Sequence, residues 1–186
     1  SETYGTIKSN NSSIKDNKII TKVNVINFKK TLELIKEIKP EYIINCTGLI
    51  KQKLNRDNNR KIFLINAKFP IFLGRYAKKM KYKHIHFSTD CVFDGKKGDY
   101  LETQFPNAKD IYGISKAKGE PSIKNKQTLV LRTSFIGHEI IGKYSLLDWF
   151  INCNSKIYGF SKCYFNGLTN LEISKFLNKI IEKNLF

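Results

Sequence analysis

The chain has 186 residues, with 33 lysines and arginines against 16 aspartates and glutamates, for a formal charge of +17. Hydrophobic residues make up 41% and charged residues 26%, proportions that exclude a disordered, collagenous or fibrous chain. The length suits one domain, or one domain with the start of a second. Apolar runs such as 42–44 and 146–151 fall far short of the roughly 18 residues that cross a bilayer. No secretory signal opens the chain.

A charge of +17 invites a nucleic-acid reading. The make-up of that charge argues against it. Arg56, Arg60, Arg75 and Arg132 are the only arginines; the other cations are lysines, spread along a chain also rich in asparagine and isoleucine. That pattern resembles a coding bias. Arginine, the better reader of bases and phosphates, is scarce, and no block of five lysines occurs. The charge reads as a solvated basic surface, with neither nucleic acid nor membrane expected as a partner. Cys46, Cys91, Cys153 and Cys163 form no CxxC pair, and His84, His86 and His138 do not cluster with them. No metal site is expected. Free thiols without a secretory signal imply a reducing, cytoplasmic setting.

In chain order, Thr3–Ile7 and Ile19–Val25 read as short strands. Phe28–Ile38 has helical spacing, with Leu32, Ile35 and Ile38 on one face. Tyr42–Asn45 is β-rich, and the polar stretch 51–60 reads as a mobile loop. Ile62–Met80 places Leu64, Ile65, Phe69, Phe72, Leu73 and Tyr76 on one broad helical face, and Pro70 inside it predicts a kink. His84–Ser88 is the next strand. Asn107 or Asp110 caps a helix that reaches Gly119 and stops at Pro121. Leu129–Thr133 is a further strand, and Thr169 caps an amphipathic helix to Ile181. This alternation predicts an α/β fold with parallel strands and right-handed crossovers. In such sheets ligands sit beyond the carboxyl ends of the strands. Those ends are Asn45-Cys46-Thr47-Gly48, Ser88-Thr89-Asp90 and Arg132-Thr133-Ser134.

The spacing Tyr-x-x-x-Lys occurs at Tyr4/Lys8, Tyr112/Lys116 and Tyr158/Lys162, and a chain this rich in lysine carries such pairs by chance. Only Tyr112 lies in a capped helix and follows a polar strand end. On a helix, positions i and i+4 share a face. An ammonium one turn from a phenol favours the phenolate, lowering its pKa so that it can exchange a proton with a substrate oxygen near neutral pH. The plain alternative is a surface Tyr–Lys pair.

His86-Phe87-Ser88-Thr89-Asp90-Cys91-Val92-Phe93-Asp94-Gly95, followed by Asp110-Ile111-Tyr112-Gly113-Ile114-Ser115-Lys116-Ala117-Lys118-Gly119-Glu120, resembles the dTDP-4-dehydrorhamnose reductase group of extended short-chain dehydrogenases/reductases. Pro40, Ile43–Cys46, Asn66-Ala67 and Arg132–Ser134 with Gly137 agree with it. Gly137–Glu139 and Ser145–Phe150 look most like the branch beside capsule and surface-polysaccharide pathways.

The resemblance implies a Rossmann-like doubly wound parallel sheet over residues 1–143 and the start of a substrate-binding part over 144–186. It implies reduction of a 4-keto-6-deoxy nucleotide sugar with NADPH or NADH, and leaves a homodimer open. By the same resemblance Thr89, Tyr112 and Lys116 are catalytic: Thr89 holds the substrate oxygen, Tyr112 donates a proton, and Lys116 holds the nicotinamide ribose. Cys46, Thr47 and Gly48 pass close to the cofactor, Asn66 steadies a neighbouring helix, and Ser88, Thr133 and Ser134 complete the cofactor side. Asp90, Val92, Phe93 and Ile136 face the substrate. Lys8 could pair with a 2′-phosphate, which favours NADPH. Cys91 is expected to be a small pocket residue, His84 and His86 packing or edge residues, His138 unpartnered, and Trp149 core ahead of substrate platform. The near alternatives are an epimerase or dehydratase of the same superfamily and a non-catalytic regulatory relative.

The glycine-rich turn that seats a cofactor pyrophosphate on a helix N-terminus is not found ahead of Thr3. The first strand and helix are therefore expected to be absent, with apolar sheet edges left unpaired, and the polypeptide is expected to be a poorly active fragment.

Overall fold

The computed structural model describes residues 2–10, 16–51, 59–121, 124–140, 142–165 and 167–186; most of the polar stretch expected to form a loop at 51–60 lies outside them. Strands β1 (Gly5–Thr6) and β2 (Ile19–Ile20) pair in parallel, both much shorter than the apolar pattern suggests. Helix α1 (Phe28–Ile38) keeps its predicted bounds because both ends are signalled locally. The Asn27 side chain accepts from the Lys30 amide at 3.1 Å, and Lys39 closes the helix in the left-handed conformation with φ 49°.

The next strands form one parallel sheet in the order β3 (Tyr42–Asn45), β4 (Lys83–Phe87), β5 (Thr128–Leu131). Ile43 lies beside His84 and Asn45 beside His86, while His84 and His86 lie beside Thr128 and Val130. Neighbours in parallel register point to the same face. Ile43 packs against a core of Ile35, Phe69, Leu73, Ala77 and Tyr82, so that face lies under the helices. On the opposite face the Tyr42 ring meets Phe186 at 6.0 Å, and the Tyr42 hydroxyl donates to the Ile181 carbonyl at 3.4 Å. Among the described residues β3 pairs only with β4, and Ile44 is 40% exposed.

The stretch Ile62–Met80 is helical but not one kinked α-helix. It divides into α2 (Asn59–Phe63), a wide π turn (Leu64–Lys68) and α3 (Phe69–Met80). In an unbroken α-helix the residue at position 70 would donate to the Asn66 carbonyl, and proline has no N–H. The Phe69 amide reaches instead to the Leu64 carbonyl, five residues back. Pro70 thereby falls in the first turn of α3, where no amide is missed.

Helix α4 (Ile111–Ala117) precedes β5, and β6 (Phe135–Ile136) follows it. Helix α5 (Leu146–Asn152), β7 (Leu168–Thr169) and α6 (Asn170–Glu182) complete the chain, with β7 pairing in parallel with β6. Thr169 caps α6 as its sequence predicts, accepting from the Glu172 amide at 3.2 Å. Among the described residues no helix is long and apolar enough to cross a membrane.

Candidate active site

Two glycines bring α4 close to the strand ends. A Cβ at Gly113 would overlap the Cys91 carbonyl oxygen, and one at Gly119 would overlap the Asn66 carbonyl in the π turn. Asp110 starts the helix, its carboxylate accepting from the Tyr112 and Gly113 amides at 3.1 Å each. Asn107, the other capping candidate, accepts from the Asp94 amide instead. At the end of β4, Thr89 accepts from the Cys91 amide at 3.2 Å and opens a short 3₁₀ turn over Asp90–Val92.

This packing sets Tyr112 beside Thr89, whose hydroxyl favours the ionised phenol. Thr89 is 5% exposed. One helical turn along, Lys116 is equally buried and its Nζ donates to the Phe87 carbonyl at 2.6 Å. The sequence therefore brings together the three side chains it singled out. Their electrostatics differ from the expectation. The Tyr112 pKa is raised, first by burial, then by Cys91, Asp90 and Asp110; the neighbouring Thr89 hydroxyl opposes them. The phenol is held protonated rather than tuned toward phenolate. Burial likewise pulls Lys116 down to about 8, against the fields of Glu120 and Cys46.

Cys46, Thr47 and Gly48 follow β3 on the same sheet edge. The Asn45 side chain fixes their path by accepting from the Thr47 amide at 3.1 Å. Crowding raises the Cys46 thiol pKa and Lys116 opposes it, which places the two in each other's field. Asn66 is fully buried; its amide donates to the Leu49 carbonyl and to Ser115 Oγ, and its oxygen accepts from the Leu49 amide at 2.8 Å. Ser134 Oγ donates to Asp90 Oδ1 at 2.7 Å, an atom that also accepts from Thr89 and the Cys91 amide. Thr133 donates to the Ser134 carbonyl at 3.2 Å. Val92 is fully buried, Phe93 stacks on Tyr100 at 4.3 Å, and Ile136 is half-buried in β6. Lys8 is exposed, just beyond β1. Cys91 is exposed beside Tyr112.

Two expectations fail. His138 has a partner: Asp148 Oδ1 lies 2.7 Å from its Nδ1. Asp148 also accepts from the Glu139 amide and the Ser145 hydroxyl, and these donors hold its pKa down to about 2. Trp149 is not core but 48% exposed. The buried position of α5 is the neighbouring Asp148, drawn inward by those donors, which turns Trp149 outward. His84 and His86 are fully buried in the central strand, so they pack inside the sheet.

A network that motif reading missed surrounds Lys116. Ser88 Oγ donates to Glu120 Oε1 at 2.6 Å, and Arg132 grips the same carboxylate at both ends, Nε to Oε1 at 3.0 Å and Nη2 to Oε2 at 2.8 Å. Both residues were visible in the sequence, but nothing local links a Glu just past α4 to an Arg just past the next strand.

A parallel α/β sheet with Thr89, Tyr112 and Lys116 at its carboxyl edge is a Rossmann-like fold. Residues 4–143 match the family model described as RmlD substrate binding domain, and the chain belongs to that family. It is 31% identical over 117 residues to a probable low-salt glycan biosynthesis reductase, Agl14, of Haloferax volcanii, a match covering 61% of this chain and 39% of the relative. It is 29% identical over 118 residues to the dTDP-4-dehydrorhamnose reductase of Aggregatibacter actinomycetemcomitans, covering 62% and 40%. Among solved structures, a hypothetical dTDP-4-dehydrorhamnose reductase from Sulfolobus tokodaii superposes with a TM-score of 0.79 at 23% identity, over 92% of this chain and 62% of that one. The chain thus spans about two fifths of the first curated relatives' length.

Proposed function

We propose that the protein carrying this chain reduces the 4-keto group of a nucleotide sugar with NADPH or NADH, in the synthesis of a glycan or surface polysaccharide. The observation that carries this reading is the Tyr112 phenol set beside the buried Thr89 hydroxyl, one helical turn from a buried Lys116 ammonium. Support comes from the relatives that bear the names of glycan biosynthesis reductase and dTDP-4-dehydrorhamnose reductase. A solved dTDP-4-dehydrorhamnose reductase of Bacillus anthracis, with which this chain shares its fold at a TM-score of 0.73 and 23% identity over 88% of its length, is in complex with NADP.

The residues present fit a nicotinamide. The strand ends offer small polar groups, and only one of the three Lys116 N–H bonds is committed to Phe87, leaving donors for ribose hydroxyls. When bound, the reduced nicotinamide supplies the hydride. Thr89 orients the substrate carbonyl oxygen, and Tyr112 delivers its phenolic proton to that oxygen. A phenol whose ionisation is pushed up by burial keeps its proton across neutral pH, as an acid must. The Lys116 ammonium provides positive potential beneath the phenol as charge shifts onto its oxygen. Exposed Lys8 is assigned to a cofactor 2′-phosphate.

Tyr112→Phe in the complete protein tests this reading. NAD(P)H-dependent reduction of a 4-keto nucleotide sugar should fall by roughly 10²–10⁴-fold with cofactor affinity unchanged. Unaltered turnover would remove Tyr112 from its role. A second reading, a non-catalytic subunit, is favoured by the 29% identity over 112 residues to methionine adenosyltransferase 2 subunit beta of Xenopus tropicalis. Absence of turnover in the unmutated complete protein would favour it.

A further inference from the structure

The reaction as read above uses neither Glu120 nor Arg132, yet these side chains are only 11% and 20% exposed and form the most heavily bonded charged pair of the described residues. Arg132 does more than neutralise the carboxylate. Its Nη1 donates to the carbonyls of Glu102 at 3.1 Å and Gln104 at 3.4 Å. Its guanidinium also lies over the Phe93 ring at 5.2 Å. Phe93 in turn stacks on Tyr100 with an interplanar angle of 9°. The Tyr100 hydroxyl donates to Asp94 Oδ1 at 2.8 Å and accepts from the Lys97 amide at 3.2 Å. The segment 93–105 has no helix or strand of its own, and turns at Gly95 (φ 71°), Gly98 (φ 72°) and Asp99 (φ 45°). This stack and the two carbonyl contacts tie it to Arg132, alongside the Asp94 amide's bond to Asn107 Oδ1 at 2.9 Å.

Glu120 faces the other way as well. It accepts from Ser88, the residue before Thr89, and it lies just past the C-cap of the helix that carries Tyr112 and Lys116. One carboxylate therefore ties α4, the end of β4 and the end of β5 together. The guanidinium joins the 93–105 segment to that knot. A planar fork with five donors can serve a carboxylate and two carbonyls at once, and an ammonium cannot.

Resting on the reductase reading of Thr89, Tyr112 and Lys116, we propose that Glu120 and Arg132 act as one positioning unit: Arg132 clamps the 93–105 segment beside the strand ends, and Glu120 holds Ser88 and supports the Lys116 ammonium electrostatically. Neither side chain touches the reacting atoms. Lys116 Nζ donates to the Phe87 carbonyl and Glu120 accepts from Ser88, the next residue, each at 2.6 Å, so both charges meet the same strand end; there the Glu120 field opposes the loss of charge that burial favours on Lys116.

Two variants separate the roles, and both readouts are made on the chain without substrate. Arg132→Lys keeps a cation for Glu120 but loses the fork. Amide hydrogen exchange across 94–105 should quicken about tenfold, with exchange in β4 and α3 and the titration midpoint of Lys116 Nζ, followed by NMR, both unchanged. Glu120→Gln removes the charge, and the Lys116 midpoint should fall by about one pH unit; Glu120→Asp, which keeps the charge, should hold it at the wild-type value. Exchange in 94–105 within roughly twofold of wild type in Arg132→Lys overturns the clamp. A Lys116 midpoint that does not move in Glu120→Gln, or that falls equally in Glu120→Asp, overturns the electrostatic role. Should Glu120→Gln fail to fold, Arg132→Lys decides the clamp and Glu120→Asp the electrostatic role. Failure of the reductase reading is a separate result: no turnover by the unmutated complete protein, with exchange and titration behaving as stated.

Discussion

The Asn45 side-chain amide donates to His86 Nδ1 at 3.1 Å across two neighbouring strands. The direction is fixed, because Asn45 Oδ1 already accepts from the Thr47 amide, so Nδ2 must face the imidazole. His86 therefore accepts at Nδ1 and carries its hydrogen on Nε2. A second proton would set N–H against N–H in a site with no exposure. Burial, with Lys116 and His84 adding to it, lowers His86 to about 2, and burial lowers His84 to about 4, both from 6.5.

That pair makes stability depend on pH with a definite sign. Below about pH 6.5 the unfolded chain takes up protons that the folded chain refuses. Stability is complete above that point and is lost as pH falls toward about 4 for His84, and further for His86. Each histidine contributes a slope of about 1.4 kcal/mol per pH unit. The urea midpoint should drop steadily from pH 7 to pH 5, and His84→Leu should remove about half of the slope. A flat midpoint over that range contradicts the buried neutral pair.

Gly113→Ala should displace α4, since its methyl would overlap the Cys91 carbonyl. A loss of about 1–3 kcal/mol is expected for such overpacking, with Tyr112 moved off Thr89. Thermal unfolding reads the first effect and turnover of the complete protein reads the second. A variant with wild-type stability and rate would show that the contact can relax freely.

Lys116→Met tests the cost of a buried ammonium. Burial pulls the lysine down to about 8 from 10.5, so its charge opposes folding at neutral pH, and that cost fades as pH rises from about 8 toward 10.5. A well-packed apolar replacement should gain about 1–2 kcal/mol at pH 7, offset in part by the lost bond to Phe87. Turnover should disappear. Loss of stability together with loss of activity would mean that the Phe87 contact outweighs the buried charge.

Local order along the chain already determined much of this protein. The bounds of α1 and β3, the cap at Thr169, Asp110 as one of two candidate caps, the parallel α/β class and the shared face of Tyr112 and Lys116 follow from patterns a few residues long. Capping, periodicity and i, i+4 spacing act within one element, so the sequence displays them directly. Tertiary structure alone decided the rest. The π turn at 64–68 reflects how the chain accommodates Pro70 at the start of α3. The raised pKa of Tyr112 and the lowered pKa of Lys116 depend on burial. The pairs Asn45–His86, Glu120–Arg132 and His138–Asp148 join groups on different elements. Desolvation and long-range pairing exist only once the chain has closed around them, because each depends on what lies opposite in space rather than on what stands next in sequence.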